Sequence, residues 1–302
     1  MIFNLYELVK ARPEYFKQLT CKEILITQYD CLQTEKKQDL YSQMNFIAYV
    51  VSGRRIFYQP GYSIEMSEGK CAFVKKGGWI AEKEPSEGWC VLTFFIPDNY
   101  LKQFFKDYRQ SLPLKYIRQE ATKQMIELSV NETTESVFNS MASYFSQTIP
   151  PAENVLELKF REMLLNILCN NSNEELLVYL SSISDRDKQP LEEIMQANYT
   201  YNLPLAEFAK ISHRSLASFK REFTEVFKTT PGKWLIQKRL DYAGMLLHTS
   251  QKSVTEIAFE SGFENTTHFS RVFKDKFNTS PLAYRKDQLH QRAELHSKIV
   301  EP

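Results

Sequence analysis

Three phenylalanines spaced four residues apart occur twice near the end of the chain, with an offset of fifty positions. Phe219, Phe223 and Phe227 lead to Pro231, and Phe269, Phe273 and Phe277 lead to Pro281. Thr229 and Thr230 return as Thr279 and Ser280. That spacing places three rings on one stripe of an α-helix. A short apolar segment precedes each run, carrying Glu207-Phe208-Ala209 in one copy and Glu256-Ile257-Ala258 in the other. The offset there is 49, so the second copy has one extra residue in its turn. Short helix, turn and longer helix, written twice, predict two helix-turn-helix units between Leu203 and Arg285.

The first part of the chain has a different period. Short apolar or alternating runs at Phe46–Val51, Arg55–Tyr58, Cys71–Val74 and Cys90–Ile96 are separated by Ser52-Gly53, Pro60-Gly61, Gly77-Gly78 and Ser86-Glu87-Gly88. Several short strands between turn signals predict a barrel or jelly roll over residues 1–112. Helical spacing follows at Asp98–Tyr108, Ala121–Ser129, Glu135–Phe145, Glu153–Asn170 and Glu174–Ser182, with a break at Pro150-Pro151. Ser184–Pro190 reads as a charged hinge, and Leu191–Asn198 as the first helix beyond it. Ser253 and Glu256 form the S-x-x-E pattern of a capping box, which starts a helix at Val254. Pro231 fits a first-turn position and opens a helix to Leu247, a rod about 23 Å long.

Opposite the phenylalanine stripe lie Ala217, Lys220, Arg221 and Thr224 in one copy, and Thr267, Ser270, Arg271 and Lys274 in the other. One reading is a helical bundle with a solvated outer face. Duplication at fixed spacing, with a basic outer face both times, favours another. The second helix of such a unit enters the DNA major groove, where Arg and Lys read guanine edges and small residues allow close approach.

The run IAFESGFENTTHFSRVFKDKFNTSPLAYR, from Ile257 to Arg285, closely resembles the signature of AraC/XylS-type transcription regulators. The run FAKISHRSLASFKREFTEVFKTTPGKWLIQKRLDYAGMLL is similar to the preceding half of that pattern. Lys228 and Asn278 depart from it, standing where the family usually has Gly, and His213 replaces the turn Gly that survives as Gly262. Asn and His tolerate left-handed backbone better than most residues, so local strain is expected there, most of all at Lys228. The resemblance implies an α+β two-domain protein: an N-terminal β-rich cupin-like barrel with flanking helices, and a C-terminal all-α domain with two helix-turn-helix units. The expected divisions are a regulatory domain over 1–150, a linker with possible dimerisation helices over 151–185, a DNA-binding domain over 186–286 and a polar tail over 287–302. The helix over Glu153–Asn170 could instead pack on its own barrel.

Charge distribution fits that division. Residues 186–286 hold 16 Lys and Arg against 11 Asp and Glu, five net positive; the whole chain has 38 against 37, leaving the rest four negative. A basic C-terminal third beside an acidic remainder fits a DNA-facing domain next to one with another task. All five His (213, 248, 268, 290, 296) lie in the C-terminal third, so the barrel strands lack the imidazoles that hold Fe, Ni, Cu or Zn. No metal, cofactor or catalytic residue is expected. Five scattered Cys without a C-x-x-C pair indicate neither a zinc site nor a disulfide framework, and reduced thiols fit a cytoplasmic protein. No apolar run reaches the roughly 18 residues of a transmembrane helix. Met1–Lys10 contains Glu7 and no basic leader, so neither membrane insertion nor secretion is expected.

These residues predict a DNA-binding regulator, an activator by family analogy, that works with RNA polymerase. The expected DNA-contacting residues are Ser215, Ala217, Lys220 and Arg221 in the first unit and Thr266, Thr267, Ser270, Arg271 and Lys274 in the second. Ser215 and Lys274 would contact the backbone. The alternative for Arg221 and Arg271 is a structural salt bridge, and Arg239 reads as a scaffold residue. Control would come from a small-molecule effector or a regulatory protein acting on the N-terminal domain, with a homodimer possible. Tyr49, Tyr58 and Trp79 are candidate pocket linings, whereas VLTFFIPDNYLKQFF is similar to ExsA-type regulators governed by a partner protein. The rival class is a metal-independent cupin-type enzyme or ligand-binding module fused to a DNA-binding domain.

Overall fold

The computed structural model describes residues 3–30, 36–59, 62–83, 88–114, 123–184 and 190–286. The chain divides into two compact units, the first running to Ala197 and including Ile211–His213, the second taking the rest from Asn198. The hinge expected at Ser184–Pro190 falls largely outside the described residues, as does the tail over 287–302.

The first unit opens with β1 (Phe3–Asn4) and α1 (Leu5–Ala11), whose N-terminus Asn4 caps by accepting the Glu7 N–H. Eight strands follow: β2 (Lys17–Cys21), β3 (Ile24–Asp30), β4 (Lys37–Ser42), β5 (Asn45–Gln59), β6 (Tyr62–Ser67), β7 (Cys71–Val74), β8 (Gly77–Lys83) and β9 (Trp89–Ile96). After α2 (Asp98–Tyr108) comes β10 (Met125–Leu128). The main path of the sheet is β1-β4-β8-β5-β9-β3-β2, with β6 and β7 on β5 and β10 on β7. The path is open, so the domain is a curled half-barrel.

One strand makes the curl. The apolar runs at Phe46–Val51 and Arg55–Tyr58 are not two strands but one, β5, with a register shift between Val50 and Ser52 and Ser52-Gly53 still paired with β9. Its first half pairs with β7 and β9, its second with β6 and β8. Gly53 adopts φ +88°, and a Cβ there would stand 1.9 Å from the Gly88 carbonyl oxygen. Only glycine allows the bend.

Period-2 alternation then sorts the side chains. Phe46, Ala48, Val50, Trp79 and Phe95 fill the concave side, with Phe46 ring-to-ring with Trp79 at 5.3 Å and with Phe95 at 5.4 Å. Ile47, Tyr49, Phe73 and Phe94 point to the other side and are covered by helices α2, α3 (Glu132–Tyr144), α4 (Glu153–Cys169) and α5 (Glu174–Ser184). Phe138 of α3 and Phe160 of α4 are fully buried there. Each such side chain contributes about 1.5–3 kcal/mol.

Three expectations change. The helix expected over Ala121–Ser129 is strand β10, because Met125 to Leu128 complete the free edge of β7 in antiparallel register; tertiary pairing outweighs local propensity. The segment 151–185, expected as a linker with possible dimerisation helices, supplies α4 and α5; of the two readings of α4, packing on its own barrel accounts for Leu156, Phe160, Met163 and Leu164, which are core together with Leu176 and Leu180 of α5. Finally, Tyr49, Tyr58 and Trp79 do not share a pocket. Tyr49 stacks on Phe138 at 4.2 Å under the helices, Tyr58 donates to Glu82 at 2.6 Å, and Trp79 alone enters the concave core. Their residue parity on the paired strands separates them.

Past α6 (Leu191–Asn198), the second unit contains α7 (Leu205–Ile211), α8 (Leu216–Phe227), α9 (Pro231–Thr249), α10 (Val254–Glu260) and α11 (Thr266–Phe277), with a further helical turn at 281–286. With 19 residues, α9 is about 28 Å long and runs two residues beyond the end expected at Leu247.

Candidate nucleic-acid interface

Each longer helix of the duplicated pattern is oriented by an aromatic ladder. Phe219, Phe223 and Phe227 line one side of α8, and Trp234 of α9 closes the set, 5.1 Å from Phe227 and 6.0 Å from Phe223. Phe269, Phe273 and Phe277 do the same on α11, closed by Tyr284 at 5.1 Å from Phe277 and 5.4 Å from Phe273. The first two rings of each ladder are fully buried. A helix pinned on one side by three rings has a fixed opposite face.

The helix starts are also built in parallel. Ser215 caps α8, its hydroxyl accepting the Ser218 N–H at 3.2 Å. Fifty positions on, Asn265 caps α11 by accepting from Thr267 and His268 at 2.8 and 3.0 Å. Sequence reading missed Asn265, although the offset from Ser215 and the cap preference of Asn point to it. The capping box at Ser253 and Glu256 is present on α10. Lys228 and Asn278 end α8 and α11 in the left-handed region, at φ +55° and +58°, and His213 adopts φ +53° in the first turn.

Gly262 in the second turn has a steric reason to be glycine. It adopts φ +89°, and a Cβ would lie 2.4 Å from the Thr200 carbonyl oxygen and 2.9 Å from the Arg239 Nε. Arg239 donates to the carbonyls of Tyr199 and Tyr201 at 2.6 and 2.9 Å. Burial pushes its guanidinium down to about 10, with Glu264 acting in the opposite direction. Arg239 therefore ties α9 to the chain entering the unit.

The nominated reading faces are open to solvent. Ala217, Lys220 and Arg221 of α8 are exposed, as are Thr267, Arg271 and Lys274 of α11, while Thr266 and Ser270 are half-buried. Among the described residues, no ion pair engages the side chains of Lys220, Arg221, Arg271 or Lys274. Ser215 is exposed but its hydroxyl is already committed to the cap. A groove of about 710 Å³ lies between the two halves of the unit, lined in part by Gly232, Ile236, Asn265, His268 and Arg271.

One ion pair is present in the first copy and absent from the second. Arg214, just before the Ser215 cap, makes a two-pronged ion pair with Glu222 of α8 at 2.6 and 2.8 Å, with its side chain only 3 % exposed. The corresponding residues of the second copy are Glu264 and Val272, and they form no such pair. Sequence reading gave no role to any of these four.

Among the described residues, no group of three or more His, Cys, Asp or Glu could hold a metal ion, and no helix is long and apolar enough to cross a membrane.

Residues 205–287 match a helix-turn-helix domain family, and residues 45–179 match the ExsA N-terminal regulatory domain family. The chain is 22% identical over 237 residues to the thermoregulatory protein LcrF of Yersinia pestis, covering 78% of this chain and 87% of that protein. It is 22% identical over 228 residues to the transcriptional regulator ExsA of Pseudomonas aeruginosa, covering 76% and 81%. Among solved structures, ToxT of Vibrio cholerae with an unsaturated fatty acid bound aligns at 18% identity and a TM-score of 0.41, over 88% of this chain and 96% of that one. The duplicated helix-turn-helix units, the two domain-family matches and these regulator relatives support an AraC/XylS family transcriptional regulator.

Proposed function

We propose that this protein activates transcription by reading two successive major grooves of one DNA duplex, one with α8 and one with α11. The observation that carries this is the pair of exposed, basic and uncommitted helix faces held opposite two matching aromatic ladders. Ala217, Lys220 and Arg221 read one half-site, and Thr266, Thr267, Ser270 and Arg271 the other. Lys274 contacts a phosphate. Ser215 orders the start of α8 through its cap and supports the backbone contact from there. A connecting helix of about 28 Å is comparable to the roughly 34 Å between successive major grooves on one face. RNA polymerase is the recipient of the signal, the protein acts in the cytoplasm, and it carries no enzymatic activity of its own.

The N-terminal unit is the receiving end. Its concave side is filled by Phe46, Trp79, Phe95 and their neighbours, so a regulatory protein acting on the helical side fits the packing better than a ligand deep in the barrel. On that side α4 leaves Val155 and Leu158 exposed, the latter 68 %. This face also suits a homodimer. A small-molecule effector is the second reading, favoured by a 560 Å³ cleft where Lys10 and Lys22 stand beside Tyr6, Ile24 and Met44.

Footprinting of the full-length protein on DNA selected from random fragments, at two salt concentrations, tests the function. Protection of two adjacent major grooves with steep salt dependence is expected. Protection of one groove only would remove the two-helix reading.

A further inference from the structure

The two reading heads carry opposite charge at the same point of the repeat. Arg214 precedes the cap of α8, and its charge is consumed by Glu222. Glu264 precedes the cap of α11 and is exposed. Among the described residues, its carboxylate makes no hydrogen bond and no salt bridge. It lines the same groove as Asn265, Thr267, His268 and Arg271, and it is the single carboxylate of that lining. The Asn265 side-chain oxygen is already occupied by two backbone N–H groups, which leaves its amide nitrogen as a donor. At the mouth of the second recognition helix, donors are plentiful and the one anionic acceptor of the lining is Glu264, whose charge also acts on Arg239.

An open carboxylate at a DNA-facing edge has two consequences. It repels phosphates within a Debye length of about 10 Å, which weakens binding to DNA of any sequence. It also favours the cytosine N4 amino group in the major groove, because a carboxylate accepts and cannot donate; adenine offers an N6 amino group as well, but sets the N7 acceptor beside it. Guanine O6 and N7 and thymine O4 are acceptors, so each would face Glu264 as like against like. The first residues of a recognition helix are those that reach base edges.

We propose that Glu264 is a specificity residue of the second half-site, which selects cytosine at one position and penalises all other DNA. This rests on the DNA-reading function proposed above. The first unit, with Arg214 locked in its ion pair, has no such selector, so the two units discriminate by different chemistry. Unit one gains affinity from cations; unit two trades affinity for selection.

The test is selection of preferred sites from a randomised duplex library by the full-length wild type, Glu264→Gln and Asp275→Asn. Asp275 is an exposed carboxylate further along α11, so its variant changes net charge equally. For Glu264→Gln, binding to mixed-sequence DNA should tighten, and the preference for cytosine at one position of the second half-site should fall about tenfold or more. Asp275→Asn should keep every base preference. If Glu264→Gln selects the same bases as wild type, or if both variants shift alike, Glu264 acts only through net charge and the proposal is overturned. If the wild type itself enriches no sequence, the DNA-reading function fails as well, so the two failures are distinguishable.

Discussion

Trp234 and Tyr284 occupy equivalent places fifty residues apart, each closing a ladder of three phenylalanines, with ring centroids 5.1 Å from Phe227 and 5.1 Å from Phe277. A ladder does more than bury apolar surface. It fixes the rotation of its helix about its own axis, so the residues at the opposite face are presented in one register. The rings sit in α8 and α11, and the closing aromatics come from the segments that follow, so each recognition helix is held by the chain that succeeds it.

Phe273 is fully buried between Phe269, Phe277 and Tyr284. Phe273→Ala should destabilise the second unit by about 3–5 kcal/mol. Phe277→Ala should cost less, because Phe277 is half-buried. Urea unfolding of the full chain, with DNA binding followed at each denaturant concentration, measures both. Equal losses for the two would mean that the ladder is not graded from core to edge.

Lys220→Ala and Arg271→Ala should each relax specificity by about 1–3 kcal/mol, at base pairs roughly one helical turn apart. Competition binding against singly substituted sites locates the affected positions. Two variants altering the same base pairs would exclude the arrangement of α8 and α11 in successive grooves.

Backbone handedness separates two substitutions that look alike on paper. Gly262→Ala places a methyl 2.4 Å from the Thr200 carbonyl oxygen at φ +89° and should destabilise the unit severely. Lys228→Gly should stabilise it by about 1 kcal/mol, since Lys228 holds φ +55° as the C-cap of α8 and glycine adopts that region without penalty. Thermal melting of both variants gives the comparison, and a Lys228→Gly protein less stable than wild type would contradict the cap argument.

Sequence reading reached the second unit almost whole because a repeat carries its own check: each residue of one copy is tested by its counterpart. The phenylalanines were visible in this way; the capping box of Ser253 and Glu256 was legible from its own S-x-x-E pattern, and the strained backbone at Lys228 and Asn278 from their departure from the family pattern. Trp234 and Tyr284 obey the same offset but differ in residue type, which hid them. Arg214 and Glu264 were hidden because their meaning lies in a contrast, an ion pair made in one copy and not in the other. The half-barrel was legible as strands but not as a sheet. Nothing local marks β5 as one strand running through Ser52-Gly53, or Tyr49 and Trp79 as pointing to opposite sides, because both follow from pairing between residues distant in the chain.

The exposed stripe of α4 gives a prediction for assembly. Val155 and Leu158 are one turn apart, 40 % and 68 % exposed, on a helix whose other side is buried against the barrel. Leu158→Asp should leave the fold intact, since the position touches no core. If this face joins two copies, the variant should sediment as a monomer and lose cooperativity on paired sites. A wild type that sediments as a monomer at all concentrations would remove the dimer from the proposal, leaving the stripe to a different protein.

Lys75 supplies a pH signature for the first unit. It follows β7, is 7 % exposed, and holds its ammonium 4.6 Å from the Tyr179 ring centroid. Burial pushes its pKa down from 10.5 to about 8, against the pull of Glu175 and Glu193. The folded amine therefore loses its proton at lower pH than the unfolded one. Below about pH 8 both states hold the proton and the folded state carries the full cost of the buried charge. Between about pH 8 and 10.5 the unfolded state binds more protons, so this residue's contribution to stability rises with pH, by up to about 3 kcal/mol. Lys75→Met removes the charge and the titration together. The stability gap between Lys75→Met and wild type, read from urea midpoints at half-unit steps from pH 7 to 10.5, should narrow steadily above pH 8. A gap that stays constant over that range would show that the Lys75 ammonium keeps its ordinary basicity in the folded protein.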